Sequence, residues 1–256
     1  MNRPGVSGLR RALATLCAAV VLHAPAAPQN FNVDLDIFFG GPEIGNGAPS
    51  DAFGGAAGMP GRWNRIPMLG NGPYDLVDVN GSPTSVHMSA VWSQGHRGGG
   101  GTNQQINTGD FKLLLDDAAS VADLLNGGTV TYYWNGLSPG PYDLYVYAVH
   151  RGGFALDAPV FAANTSSPNP QIVRGPMPGN AFALHVTHSV HRIEVTDGSM
   201  RAWIVQAPGM QHNLNVNGFQ IIAVAEPSTA FALLLVGAGI FYKPRRKPRN
   251  PPGIIG

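Results

Sequence analysis

The sequence predicts an all-β protein, an antiparallel sandwich of short strands, on three observations. The 256 residues include 34 Gly and 22 Pro, with 44% hydrophobic and only 12% charged residues, a composition of many turns between short buried segments. Period-two alternation of apolar and polar residues recurs along the chain. Most connections between these runs are too short to hold crossover helices, which favours antiparallel pairing.

Both ends stand apart from that pattern. In "MNRPGVSGLRRALATLCAAVVLHAPAAPQ", Arg3, Arg10 and Arg11 precede an apolar run from Ala12 to Leu22, and Ala24 and Ala26 form a small-residue cleavage site. This is the layout of a secretory signal peptide over residues 1–26, too short for a comfortable membrane span. The Arg10–Arg11 pair would also permit twin-arginine export, but its surroundings favour general secretion. Leu16 before Cys17 argues against a lipoprotein. Cys17 is the only cysteine and leaves with the leader, so disulfides, thiol catalysis and cysteine metal sites are excluded from the mature chain.

The body is expected over 27–224 as one domain, with no linker between Phe31 and Ala225. In "FNVDLDIFF", Val33, Leu35 and Ile37 share an inward face and Asp34 and Asp36 turn away. Gly40 to Pro60 reads as loop. "TSVHMSAVW" is the next strand, with Val86, Met88, Ala90 and Trp92 inward. "GHRGGGGTNQQ" is too glycine-rich for a regular element. Phe111 to Leu115 reads as a strand followed by a helix from Asp117 to Leu125, capped by Asp116 and ended by Gly127. "GTVTYYWNGLSPGPYDLYVYAVH" reads as a hairpin, with Val130, Tyr132 and Trp134 on one strand, a Pro-Gly turn, and Tyr142, Leu144, Val146 and Ala148 on the next. "FALHVTHSVHRIEVTDG", "AWIVQ" and "LNVNGFQIIAVA" supply further strands.

The net charge of +1 conceals an asymmetry. Three of the 16 basic residues lie in the leader and five in the tail, leaving eight in the body against all of the chain's 15 acids except Glu226. The body is therefore acidic without a basic stripe, and nucleic acid is not an expected partner.

The tail, 225–250, holds an uncharged stretch from Pro227 to Tyr242 before Lys243, Arg245, Arg246, Lys247 and Arg249. As a helix its sixteen residues reach roughly 24 Å, short of a hydrocarbon core of about 30 Å. The basic cluster would stay cytoplasmic and leave the body outside. With Glu226, Pro227, Ser228 and Thr229 at the outer boundary, the tail resembles the PEP-CTERM sorting signal of bacteria, although Ala225 replaces the first proline and "NPPGIIG" runs on beyond the basic cluster. The resemblance implies an exosortase-type membrane peptidase as partner, transient anchoring in the inner membrane, and release to the cell surface or extracellular matrix. The body in turn resembles the galactose-binding-like jelly-roll sandwiches through "GLSPGPYDLYVYA" and "NVNGFQIIAV". A fibronectin-III-like sandwich is the alternative fold.

Signals for chemistry are sparse. "HVTHSVH" spaces His185, His188 and His191 three apart, but no metal motif accompanies them, and solvent-facing positions are expected. "HRGG" occurs twice, and if both loops met, His96, Arg97, His150 and Arg151 would form a small anion-binding cleft. Among Trp63, Trp92, Trp134 and Trp203, the inward positions of Trp92 and Trp134 point to packing. Trp63, in loop-like sequence, is the candidate exposed platform for a sugar. Asp75, Asp78, Asp116 and Asp117 have turn or cap roles rather than a Ca²⁺ spacing. No nucleophile elbow, metalloprotease helix or P-loop occurs. The sequence thus points to an exported, non-enzymatic surface or matrix protein without a cofactor, with a carbohydrate-binding module recognising exopolysaccharide as the alternative.

Overall fold

The computed structural model describes residues 29–36, 47–67, 70–93, 97–99, 107–116, 118–121, 127–149, 157–164, 170–174, 178–207 and 214–225. The chain divides into Met1–Val224 and Ala225–Gly256; beyond Ala225 the second unit lies outside the described residues, as does the leader. Among the described residues, no helix is long and apolar enough to cross a membrane.

The body is a β-sandwich. Its first sheet joins β1 (Phe31–Asp36), β2 (Trp63–Pro67), β8 (Gly140–Tyr147), β11 (His188–Val195) and β14 (Gly218–Ala223) in the order β11-β8-β14-β1-β2. The second joins β3 (Tyr74–Val77), β4 (Pro83–Ser93), β7 (Gly128–Asn135), β9 (Asp157–Ala163), β10 (Gln171–Arg174) and β12 (Ser199–Gln206) in the order β10-β9-β12-β7-β4-β3. A small third sheet orders β13 (Leu214–Val216), β6 (Ala119–Val121) and β5 (Arg97–Gly99). Among the named strands, pairing is antiparallel except for β1 with β2, where Asn32 lies opposite Trp63 and Asp34 opposite Arg65 in a parallel register.

The inward faces match the alternation in the sequence. Val86, Met88, Ala90, Val130, Tyr132, Trp134, Tyr142, Leu144, Val146 and Ala148 are all buried between the sheets. At the centre, Phe219 of β14 meets Tyr132 and Trp134 of β7 edge-on, both at 4.8 Å between ring centroids. Trp92, near the end of β4, is only partly buried against this core.

Three expectations are overturned. The expected hairpin around "GLSPG" is an arch: β7 pairs with β12 and β4 in one sheet, while β8 pairs with β11 and β14 in the other. A second arch, from β11 to β12, lies beside it, and the two turns are joined by the Leu137 N–H donating to Gly198 O at 3.0 Å. Gly136 adopts φ +87° in the first turn, where an added Cβ would stand 2.4 Å from Ser85 O, so the crossing needs glycine there.

The helix also differs. Helix α1 spans Gly109–Leu115, and Asp116 closes its C-terminal end rather than opening a later helix. Phe111, Leu114 and Leu115 form the 3.6-period face, and this face packs onto the outer side of the five-stranded sheet with Trp63, Tyr147 and Val149. Leu114 and Leu115 are fully buried there, so tertiary burial selected helix over strand for an apolar run that suits either. Of the expected helix, Ala119–Val121 form the strand β6 instead, and Asp117 and residues 122–125 lie outside the described residues.

Finally, Asp34 and Asp36 do not face solvent. Both are buried, because α1 and the 50–61 loop cover the outer face of the five-stranded sheet as well as its core face being covered.

Candidate functional site

The outer face of the five-stranded sheet carries a buried polar network. Gln220 Oε1 accepts from the Tyr147 hydroxyl at 2.5 Å and from Ala57 N–H at 3.0 Å. Its Nε2 donates to Asn32 Oδ1 at 2.8 Å and Gly54 O at 2.9 Å. Tyr147 also accepts from Ala56 N–H at 2.7 Å, and Asn32 Nδ2 donates to Met59 O at 3.1 Å. The network fastens the 50–61 loop to the sheet, with each amide's capacity used as burial requires. Beside it, Asp36 forms an ion pair with Arg65, while Asp34 is fully buried with no hydrogen bond to its carboxyl. Burial pushes the Asp34 carboxyl well above the usual range, and the positive charge of Arg65 offsets part of that.

Next to this network, along β2, lies a cleft of about 720 Å³ whose lining includes Ser50, Asp51, Arg62, Trp63, Asn64 and Arg65. Its Arg62 Nη1 and Asp51 Oδ1 stand 3.9 Å apart, with side chains 62% and 66% exposed.

The six-stranded sheet presents a different surface. Met200, Ala202 and Ile204 of β12 point into the core, so Arg201, Trp203 and Val205 point outward and are half-buried. Register places Val91, Thr131, Trp203 and Phe161 in one row across four strands, about 14 Å from end to end at the usual strand spacing. Trp203 and Phe161 stack in parallel, 5.4 Å between centroids and 8° between planes, and the Arg201 guanidinium lies 5.0 Å from the indole centroid. The neighbouring row is Ser89, Tyr133, Arg201 and Ala163. Stacked rings thus emerge on an outward face among hydroxyl and guanidinium groups, with Val91 55% exposed at one end of the row.

Trp63, expected to be an exposed platform, is instead in β2 and 3% exposed, its Nε1–H donating to Phe53 O at 3.1 Å. Phe53 of the preceding loop folds back over it, 6.0 Å away between ring centroids. The outward-facing tryptophan is Trp203, whose strand was legible but whose face was not assigned. His96, His150 and Arg151 lie outside the described residues, and of Arg97 only the backbone, in β5, is described. The sorting residues Glu226, Pro227, Ser228 and Thr229, the basic residues Lys243, Arg245, Arg246, Lys247 and Arg249, and the cleavage-site residues Ala24 and Ala26 also lie outside them.

The histidines correct another expectation. His185 is exposed at φ +64°, but His188 and His191 are buried. His188 packs among Tyr145, Tyr147 and Phe182, and burial lowers its pKa to about 4. His191 Nε2 and Ser189 Oγ are 2.9 Å apart, a nucleophile–base distance, yet both residues are sealed in the interior at 0% exposure. Among the described residues, no group of three His, Cys, Asp or Glu side chains converges as a metal site. Asp78 caps its own turn through Asn80 and Ser82 N–H, and Asp116 accepts from Asn107 and Lys112.

No family model matches the chain, and no curated protein matches it. Among solved structures, it is similar to a carbohydrate-binding module in complex with β-1,4-galactotriose, at 10% identity and TM-score 0.30, over 43% of this chain and 72% of that one. It is also similar to a 4-O-methyl-α-glucuronidase with specificity for decorated arabinogalactans, at 11% identity and TM-score 0.28, over 43% of this chain and 15% of that one. A third is the isomalto-dextranase of Arthrobacter globiformis T6 complexed with panose, at 18% identity and TM-score 0.27, over 55% and 24% of the two chains. At these TM-scores the likenesses assign no ligand, and the two surfaces stand on their own residues.

Proposed function

We propose that the body is a carbohydrate-binding β-sandwich that acts without catalysis and recognises extracellular polysaccharide through the open face of its six-stranded sheet. The observation that carries this reading is the outward stack of Trp203 on Phe161. The opposite sheet has its outer face covered by α1 and the 50–61 loop, whereas these rings remain half-exposed. An aromatic group left partly in water is a candidate contact surface, and its apolar ring suits the C–H face of a sugar. Ser89, Thr131 and Tyr133 supply hydroxyls beside it, which can both donate to and accept from sugar hydroxyls. A purely hydrophobic partner would leave those groups without hydrogen bonds.

Affinity electrophoresis of the chain through gels containing the producing cell's own exopolysaccharide tests this. Wild type should be retarded, and Trp203→Ala should weaken retention at least tenfold, about 1.4 kcal/mol, with its melting temperature little changed. Equal retention of the two proteins, or free migration of wild type through every polysaccharide tried, would rule this face out.

We further propose that the tail is a sorting address, on the strength of Glu226, Pro227, Ser228 and Thr229, the apolar run and the basic end. The mature chain should end near Glu226 by mass spectrometry of envelope and medium, and Glu226→Ala should stay uncut in the membrane. A wild-type chain still carrying "FALLLVGAGIFY" would mean an ordinary membrane anchor.

A further inference from the structure

We infer that the cleft beside β2 is a second site, separate from the aromatic row, that takes a single polyhydroxylated ring through the Arg62–Asp51 pair. The two charged atoms stand 3.9 Å apart, beyond hydrogen-bond distance, and both side chains are well exposed. A ligand hydroxyl accepting from Arg62 at roughly 2.9 Å and donating to Asp51 at roughly 2.7 Å closes over that gap. Neighbouring hydroxyls of one ring would engage the remaining donors and acceptors of the same pair.

The rest of the lining narrows the ligand class. Ala48 and Val77, both half-buried, give the cleft a small apolar wall suited to ring C–H groups. Asp51 repels an anion, and Asp36 already compensates Arg65 from behind, so the charges present do not favour a carboxylate or phosphate ligand. A wholly apolar ligand would strip water from Arg62 and Asp51 without replacing it.

Both walls are fixed before any ligand arrives. Ser50 donates through N–H and Oγ to the Asp110 carboxylate at 2.7 and 2.9 Å, and Gly61 N–H donates to Asp51 O at 2.8 Å. On the other side, Arg62 N–H donates to Val79 O at 2.8 Å, and Asn64 exchanges hydrogen bonds with the Val77 backbone at 2.8 Å. The backbone therefore needs little ordering on binding, and the remaining cost is that of ordering the exposed Arg62 and Asp51 side chains. The ligand class leans on the carbohydrate reading above, whereas the location of the site does not.

The test is titration of the full chain with methyl glycosides of glucose, galactose and mannose, followed by amide chemical shifts and calorimetry. At least one should bind and shift residues 50–51 and 62–65. Asp51→Asn and Arg62→Met should each weaken it tenfold or more, and Trp203→Ala should leave it unchanged. Matching thermal melts would establish that both cleft variants fold. The inference is overturned if no glycoside shifts these residues, or if both variants bind as wild type does. Methyl glucuronide binding that tightens in Asp51→Asn would also overturn it, in favour of an anion site. Failure here with Trp203-dependent polysaccharide retention intact would remove the cleft and leave the aromatic face standing.

Discussion

Trp134→Ala should lower stability by about 4 kcal/mol, the usual cost of deleting a large aromatic from a packed interior. Trp134 is fully buried on β7 and meets Phe219 of the facing sheet edge-on at 4.8 Å. Phe219 also touches Tyr132, so one ring on β14 locks two neighbouring inward residues of β7. Removing the indole opens a cavity at the contact that holds the sheets together, and surrounding strands in two ladders can collapse into it only partly. Trp134→Phe should be mild, under about 1.5 kcal/mol, because the ring contact survives and the indole N–H has no hydrogen-bond partner to lose. Urea unfolding followed by far-ultraviolet circular dichroism measures both. A loss below about 1 kcal/mol for the alanine variant would show that this aromatic contact is not central to the core.

The contrast between these residues and Trp63 shows how far the sequence reaches. Trp134 sits in "TVTYYWN", where alternation alone sets its face, because period two admits only two choices and one already holds Val130 and Tyr132. Trp63 follows a glycine- and proline-rich loop whose local sequence says nothing about what folds over it. Its burial comes from Phe53, Leu114 and Tyr147, which are remote in sequence or on a different element. The face of Trp203 went unassigned for a related reason: its strand alternates plainly, but its half-buried outward face depends on what packs over that sheet, where none of the described helices lies.

The arch at "GLSPG" follows the same logic. Proline and glycine mark a reversal, and the same turn chemistry serves a chain that returns within a sheet and one that crosses to the facing sheet. The choice was made by distant partners, β12 for one arm and β11 for the other. Asp34 and Asp36 misled because alternation distinguishes two faces of a strand without saying that either is wet. Both faces of β1 are covered here, so its polar residues serve an internal ion pair and hydrogen-bond network rather than solvent. What sequence pattern conveys is local periodicity; what it omits is which layer closes over each face.

Gln220→Met should cost on the order of 4 kcal/mol and should loosen the 50–61 loop more than the sandwich core. The side chain is fully buried and makes four hydrogen bonds, so methionine of similar size leaves the Ala57 N–H and Asn32 Oδ1 without those partners, removes an acceptor from Tyr147, and leaves Gly54 O with the Met59 N–H alone. Each buried group so abandoned costs roughly 1–3 kcal/mol, not additively. The loop has little freedom to find substitutes. Gly55 sits at φ +58°, so close to Gln220 that a Cβ there would stand 2.4 Å from Oε1. Hydrogen exchange should therefore show Ala56 and Ala57 losing protection while Tyr132 and Trp134, in the core strands, keep theirs. Because the same loop supplies Asp51 to the cleft, glycoside binding there should fall with it, and Trp203-dependent polysaccharide retention should persist. Wild-type stability together with protected Ala56 and Ala57 amides would mean that the loop is held by its aromatic packing on Trp63 rather than by Gln220, and the proposed preorganisation of the cleft would need a different origin.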